Sequence, residues 1–295
     1  MTHMLRLAVP AIVIGLLLWA FGSGDIGTRL TRADPLWVGV ALACLWGQTI
    51  LMALRWRLVA RCLGLRFGAG WAIREYLTGQ VVNLTLPGGV LGDASRAVRS
   101  RDGTGWKPAA QAVVIERVAG QVGLLVVGLA GAVWGLAAPG AFDWPPGLLR
   151  GLIFAVLLGI GLAAGIFAAA RRGRIADLLR RCLPTRRIAG AQVALSLGAA
   201  LLNVAAFAAC ARATGTALGP QATLLLVPLI LTAMLIPLSV AGWGWREGAA
   251  ALLFPIAGAT AQAGIAAGIV FGAAMMLSVL PVLIFWVWPV SERTG

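Results

Sequence analysis

The stretch Leu36-Trp-Val-Gly-Val-Ala-Leu-Ala-Cys-Leu-Trp-Gly-Gln-Thr-Ile-Leu-Met-Ala-Leu54 carries no charge, and Arg55-Trp-Arg57 follows at once. Its length approaches the ~20 residues that an α-helix needs to cross a bilayer core. Runs of the same kind fill residues 7–21, 118–138, 151–170, 191–211 and 222–238, and a longer one, 261–290, can span with tilt. Of 295 residues, 60% are hydrophobic and only 12% are charged, too few to cover the surface of a soluble chain. The mean hydropathy of +0.91 agrees. The expected fold is an all-α polytopic membrane protein, a single transmembrane domain over residues 1–295 with about seven to eight crossings.

The charges lie between the apolar runs. Net charge is +14, with Lys107 the only lysine. Residues 55–74 hold Arg55, Arg57, Arg61, Arg66 and Arg74, and residues 171–187 hold seven arginines. Basic loops stay in the cytoplasm, whereas 22–35 and 139–147 have no basic excess and suit the outer side. The expected setting is therefore the cell's inner (plasma) membrane, with a cytoplasmic N-terminus. Run 7–21 passes into Gly22-Ser-Gly-Asp25 without a small-x-small cleavage site, so it reads as an uncleaved first helix. Within 171–187, Ile175, Leu178, Leu179 and Leu183 lie along one side. That stretch serves as a topology determinant or as an interfacial helix touching anionic lipid phosphates. No separate basic domain exists, so nucleic acid is not an expected partner.

Several chemistries are excluded by what the sequence lacks. His3 is the only histidine, which rules out a histidine-based triad or a zincin-type metal site. No G-x-x-x-x-G-K-[ST] loop is present to hold nucleotide phosphates. Cys44, Cys62, Cys182 and Cys210 are scattered without metal or redox spacing and read as small buried hydrophobes. No metal and no cofactor are expected.

Two segments do not read as ordinary spans. They are Tyr76-Leu-Thr-Gly-Gln-Val-Val-Asn83-Leu-Thr-Leu-Pro87-Gly88-Gly89-Val-Leu-Gly92-Asp93-Ala-Ser-Arg96 and Met234-Leu-Ile-Pro237-Leu-Ser239-Val-Ala-Gly242-Trp-Gly244-Trp-Arg246-Glu247. Each begins as an apolar helix, meets Pro and Gly that break it, and then presents an acid and an arginine. A break at membrane depth must be buried in protein or line a wet cavity, so re-entrant segments are expected. Half-helix ends offer free N–H groups to anions, and Arg96 and Arg246 can grip a phosphate through paired donors. A charge at the bilayer centre costs roughly 2.5–3.5 kcal/mol, so each has a partner or a task. Pro87, Gly92 and Arg96 share their spacing with Pro237, Gly242 and Arg246, the pattern of a transporter's central site.

Glu116-Arg117 opens another span, with Gly120 one turn on. Adjacent residues do not share a helix face, so at least one needs another partner. Either the arginine snorkels to the headgroups, or Glu116 pairs with Arg96 or Arg246 in a cavity. Gly264, Gly268 and Gly272 recur at four-residue steps, as do Gly131 and Gly135. Such faces let helices pack closely within the bundle, and they also suit a homo-oligomer.

These motifs resemble the transmembrane domain of bifunctional lysylphosphatidylglycerol synthase/flippases and related flippase-like proteins. The likeness runs through Asn83…Leu86-Pro87-Gly88-Gly89…Gly92-Asp93…Arg96, Glu116-Arg117…Gly120 and Pro237-Leu-Ser239…Gly242-Trp-Gly244-Trp-Arg246-Glu247, and Arg55-Trp-Arg57 is similar to a basic spot in that family. Leu91 stands where the family often has a second glycine. The soluble aminoacyl-transferase domain of the bifunctional members is not among these residues, so lysine transfer is not carried over. The resemblance implies movement of a lipid between leaflets, its partners being membrane lipids with anionic or phosphate-bearing headgroups. The implied substrate-binding set is Asn83, Pro87, Gly88, Gly89, Gly92, Asp93, Arg96, Glu116, Arg117, Ser239, Gly242, Gly244, Arg246 and Glu247. Two other roles fit the same charges: a membrane-embedded lipid-modifying transferase using Asp93 or Glu247 as base, and an accessory subunit of lipid biosynthesis whose ion pairs are architectural.

Overall fold

A computed structural model describes residues 23–86, 90–101, 105–137, 178, 180–236 and 241–282. Runs 7–21 and 151–170, loop 139–147, most of 171–187 and the end of 261–290 lie outside these residues, as do Pro87, Gly88, Gly89, Pro237 and Ser239. Among the described residues every regular element is a helix. In chain order they are α1 (Ser23–Thr31), α2 (Pro35–Cys62), α3 (Ala69–Thr85), α4 (Leu91–Ser100), α5 (Trp106–Ala137), α6 (Arg186–Ala213), α7 (Pro220–Ala233), α8 (Trp245–Leu253) and α9 (Ala261–Ser278), with a 3₁₀ turn at Phe254–Ala257 after α8.

Within the described part, α2, α5, α6 and α9 are long and apolar enough to cross a membrane. Their starts are capped as the sequence allows. Asp34 accepts from the Leu36 N–H ahead of α2, Thr185 from Ile188 ahead of α6, and Thr260 from Ala263 ahead of α9. Helices α2 and α6 run antiparallel: the Asp34 N–H donates to the Ala213 carbonyl at one end (2.9 Å), and Arg55 reaches Ser196 at 3.3 Å near the other. Gly47 admits Leu202 and Gly198 admits Leu51 along that seam. The Trp46 indole N–H donates to the Ser278 carbonyl (2.9 Å), which ties α2 to the end of α9.

The bundle has one mixed and one basic end. Asp25, Arg29, Asp34 and Arg212 stand at the ends of α1, α2 and α6 that meet each other. At the opposite end, Arg57, Arg61, Arg66, Arg74, Lys107, Arg186 and Arg187 flank the other termini. There Trp56, Phe67 and Trp71 form an aromatic cluster with centroid spacings of 4.8–6.0 Å. A second cluster, Phe207 with Phe254 and Phe271, fills the centre of the apolar core.

Helices α3 with α4, and α7 with α8, make two hairpins of the re-entrant kind. At 1.5 Å per residue, α3 reaches about 25 Å and α4 about 15 Å, against a hydrocarbon thickness of about 30 Å. Helix α3 leaves the basic end, and α4 returns to it. Helix α7 leaves the mixed end, and α8 returns there at about 14 Å of length. The described part of run 222–238 therefore holds only the 14-residue α7, too short for the crossing its apolar length suggests. Gly242 and Gly244 hold φ of 77° and 86° in that turn, values a glycine adopts without steric cost.

Candidate functional site

The first hairpin closes at a glycine crossing. A Cβ on Gly92 would collide with the Gly79 carbonyl, so only glycine lets α4 lie this close to α3. The Gly92 N–H, left without a helical acceptor in the first turn of α4, donates to Asn83 Oδ1 at 2.8 Å. Asp93 and Arg96 then project toward α5. Asp93 accepts from Arg96 at 2.5 Å and also pairs with Arg117. Glu116 accepts from Arg55 at 2.5 Å, from Arg96 at 3.4 Å and from the Tyr76 hydroxyl at 3.2 Å.

Burial makes these contacts obligatory. Arg55 and Arg96 are each 1% exposed and Glu116 is fully buried, so a missing partner would leave a bare charge in low dielectric. The Arg96 guanidinium also lies over the rings of Tyr76 (4.1 Å) and Trp56 (4.9 Å). Gly120 completes the arrangement: a Cβ there would sit 2.9 Å from Arg55 Nη2, so glycine makes room for the guanidinium.

The second hairpin treats its charges locally. Arg246 Nε donates to Glu247 Oε1 (3.0 Å), and the Gly244 N–H donates to Glu247 Oε2 (2.6 Å), which caps α8 with its own acid. Both side chains are fully buried. The guanidinium lies 4.9 Å from the Trp243 ring and 5.6 Å from that of Phe271. Gly264, Gly268 and Gly272 of α9 face Ala250, Glu247 and Arg246 in turn, so that stripe packs inside the chain. Gly131 likewise meets the α7 backbone at Leu224.

A cavity of about 500 Å³ is lined by residues of both hairpins, among them Leu84, Val90, Ile236 and Ala241. Among the sequence-derived residues, Asn83, Asp93, Arg96, Arg117 and Gly242 line it. Glu116 lies behind that wall through its bond to Arg96, and Gly92 sets the approach of α4. Gly244, Arg246 and Glu247 are sealed between α8 and α9 and are absent from the lining. No group of His, Cys, Asp or Glu among the described residues could hold a metal ion.

The family description "Lysylphosphatidylglycerol synthase TM region" matches residues 4–282, nearly the whole chain. The protein belongs to that family. No curated protein and no solved structure matches it. Membership makes it a membrane protein with a lipid-related function, and it bears out the resemblance carried by the Pro–Gly and Glu-Arg motifs. In this lysylphosphatidylglycerol synthase TM-region protein, Arg55 and Tyr76 are as deeply engaged as any motif residue. The sequence marks Arg55 as the first charge after an apolar run and, with Trp56 and Arg57, as similar to a basic spot of the family, but not as a partner of the Glu-Arg motif. Its partner, Glu116, lies on a different span.

Proposed function

We propose that the protein is a lipid flippase or scramblase, moving a polar headgroup between leaflets through the cavity at which the two hairpins meet. That cavity is the observation carrying the reading. It lies between half-length helices entering from opposite ends, and it combines Asp93, Arg96 and Arg117 with Asn83, Gln80 and Asn203 among apolar walls. Guanidinium groups suit a phosphate, and the amides suit a hydroxylated or neutral headgroup. The basic end faces the cytoplasm, which puts α3–α4 on the inner side, α7–α8 on the outer side and the N-terminus inside. Movement runs downhill or is coupled to an ion gradient.

The test is leaflet-resolved lipid exchange in proteoliposomes of native lipid extract, comparing wild type with Asp93→Asn and Asn203→Leu, each first shown to be folded. Wild type is expected to speed exchange of at least one lipid class, and both variants to fall toward the rate of empty vesicles. A wild-type rate equal to that of empty vesicles for every class, with and without a proton gradient, would overturn the reading.

A further inference from the structure

The cavity has two tiers. Tyr76, Asp93, Arg96 and Arg117 line its side toward the basic end. Helices α3, α5 and α6 start at that end and α2 finishes there, so later residues of the first three and earlier residues of α2 stand farther from it. Gln80 and Asn83 lie beyond Tyr76 on α3, and Gln121 lies one turn beyond Arg117 on α5. Gln48 precedes Arg55 by about two turns of α2, and Asn203 follows Ser196, the Arg55 partner, by as many turns of α6. All five amides line the cavity. Helical spacing puts them there: Leu45, Gln48, Thr49 and Met52 share one face of α2, as Arg117, Gln121 and Leu124 share one of α5.

Two of these amides do what amides ordinarily do inside a bundle, tying backbone and helices together. Gln80 donates to Thr49 of α2 at 3.2 Å, and Asn83 Oδ1 accepts from the Gly92 N–H. Gln48, Gln121 and Asn203 make no such bond among the described residues. Gln48 and Asn203 are half-buried, Gln121 is exposed, and the cavity is the space the three share. Polar side chains from three helices thus converge at membrane depth with their hydrogen bonds unmade. Such groups are costly in a membrane and mark a path or a guest.

Amide chemistry says what that guest is. Each carboxamide offers two N–H donors and a carbonyl acceptor. A phosphate oxygen only accepts and an ammonium only donates, so either leaves half of each amide unserved. A hydroxyl does both. Amides reaching in from α2, α5 and α6 suit hydroxyls spread around a ring better than the pair at the end of a short chain.

We propose that this amide tier binds a headgroup ring bearing several hydroxyls, a sugar or a cyclitol, through Gln48, Gln121 and Asn203. The inference rests on the lipid-handling reading of the same cavity, and it makes no demand on the charge of the lipid.

The full chain is solubilised in an amine-oxide detergent, which carries no hydroxyl to compete. It is titrated calorimetrically with dioctanoylglycerol bearing a β-glucosyl headgroup, or with the same lipid after methylation of every sugar hydroxyl. Wild type is expected to bind the glucosyl lipid about tenfold more tightly or better, the size that one or two net hydrogen bonds supply. Each of Gln48→Met, Gln121→Met and Asn203→Leu should weaken that binding about fivefold, and the triple variant should bring the two lipids together. These amides hold no other side chain, so the ligand-free variants keep the wild-type thermal midpoint, and any single variant carries the test if the triple one does not fold. Equal binding of the two lipids by wild type overturns the proposal. So does a preference that survives in the triple variant, because the bulk of the methyl groups would then be its cause. Methyl β-glucoside competing as well as the glucosyl lipid overturns the lipid as carrier of the ring. Leaflet exchange by the same proteins separates the two readings. Selective binding without exchange sinks the flippase reading and leaves the ring site standing, and exchange without selective binding does the reverse.

Discussion

Hairpin α3–α4 spreads its charges over its neighbours: Arg55 comes from α2, Tyr76 from α3, Asp93 and Arg96 from α4, and Glu116 and Arg117 from α5. Hairpin α7–α8 keeps its own within a single turn, where Arg246, Glu247 and the Gly244 N–H satisfy one another. Yet the two share the same spacing of Pro, Gly and Arg. That spacing specifies a helix break and a buried arginine, and no more. The surroundings decide the rest. Where α2 and α5 bring charges of both signs, the arginine joins a network facing a cavity. Where the next residue, Glu247, supplies the acceptor and α9 supplies glycine room, the arginine is sealed away.

This contrast can be broken experimentally. The largest effect is expected from Glu116→Ala, which strips Arg55 and Tyr76 of an acceptor and leaves two buried guanidinium groups short of charge. Breaking a buried pair from one side costs about 3–5 kcal/mol, so little folded protein should survive detergent extraction and thermal unfolding. Gly92→Ala and Gly264→Ala come next. Each would drive a methyl into a backbone carbonyl, of Gly79 and of Ala250 respectively, at about 1–3 kcal/mol apiece or more. Gly268→Ala is gentler: its Cβ would lie 3.2 Å from the Glu247 side chain, an approach that a shift of a few tenths of an ångström relieves, and a stability loss of about 1 kcal/mol, read from the thermal midpoint, is expected. If Gly268→Ala proves as damaging as Gly264→Ala, the Glu247 side chain has no room to shift against α9. The smallest change belongs to Arg117→Gln. Its side chain is half-buried and Asp93 retains Arg96, so the thermal midpoint should report a stability loss of less than about 1 kcal/mol.

Much of this was legible in the sequence. Runs 36–54, 118–138, 191–211 and 261–290 marked α2, α5, α6 and α9, because length against bilayer thickness is a one-dimensional test, but run 222–238 passed the same test and holds only the 14-residue α7. Pro87-Gly88-Gly89 and the glycines around Trp243 marked the breaks, because both residue types oppose helix wherever they occur. Partner identity was harder to read. Arg55 and Glu116 meet only because α2 and α5 pack side by side, and no local pattern encodes that. The Arg246–Glu247 pair hides for the opposite reason. Adjacent residues on a regular helix point apart, and these two meet only at the first turn of α8, where Glu247 folds back to the Gly244 N–H. Gly92 announced a break but serves as a crossing point, a role that depends on Gly79 thirteen positions earlier.

During synthesis, Asp93 and Arg96 leave the ribosome before Glu116 and Arg117, and Arg246 and Glu247 leave before Gly264, Gly268 and Gly272. Each hairpin therefore exists for an interval without the helix that completes its surroundings, and it is too short to be held by the bilayer alone. Polar backbone at its tip cannot meet lipid during that wait. Assembly is consequently timed by α5 and α9, and the insertion machinery has to shelter two half-length segments until their later neighbours arrive.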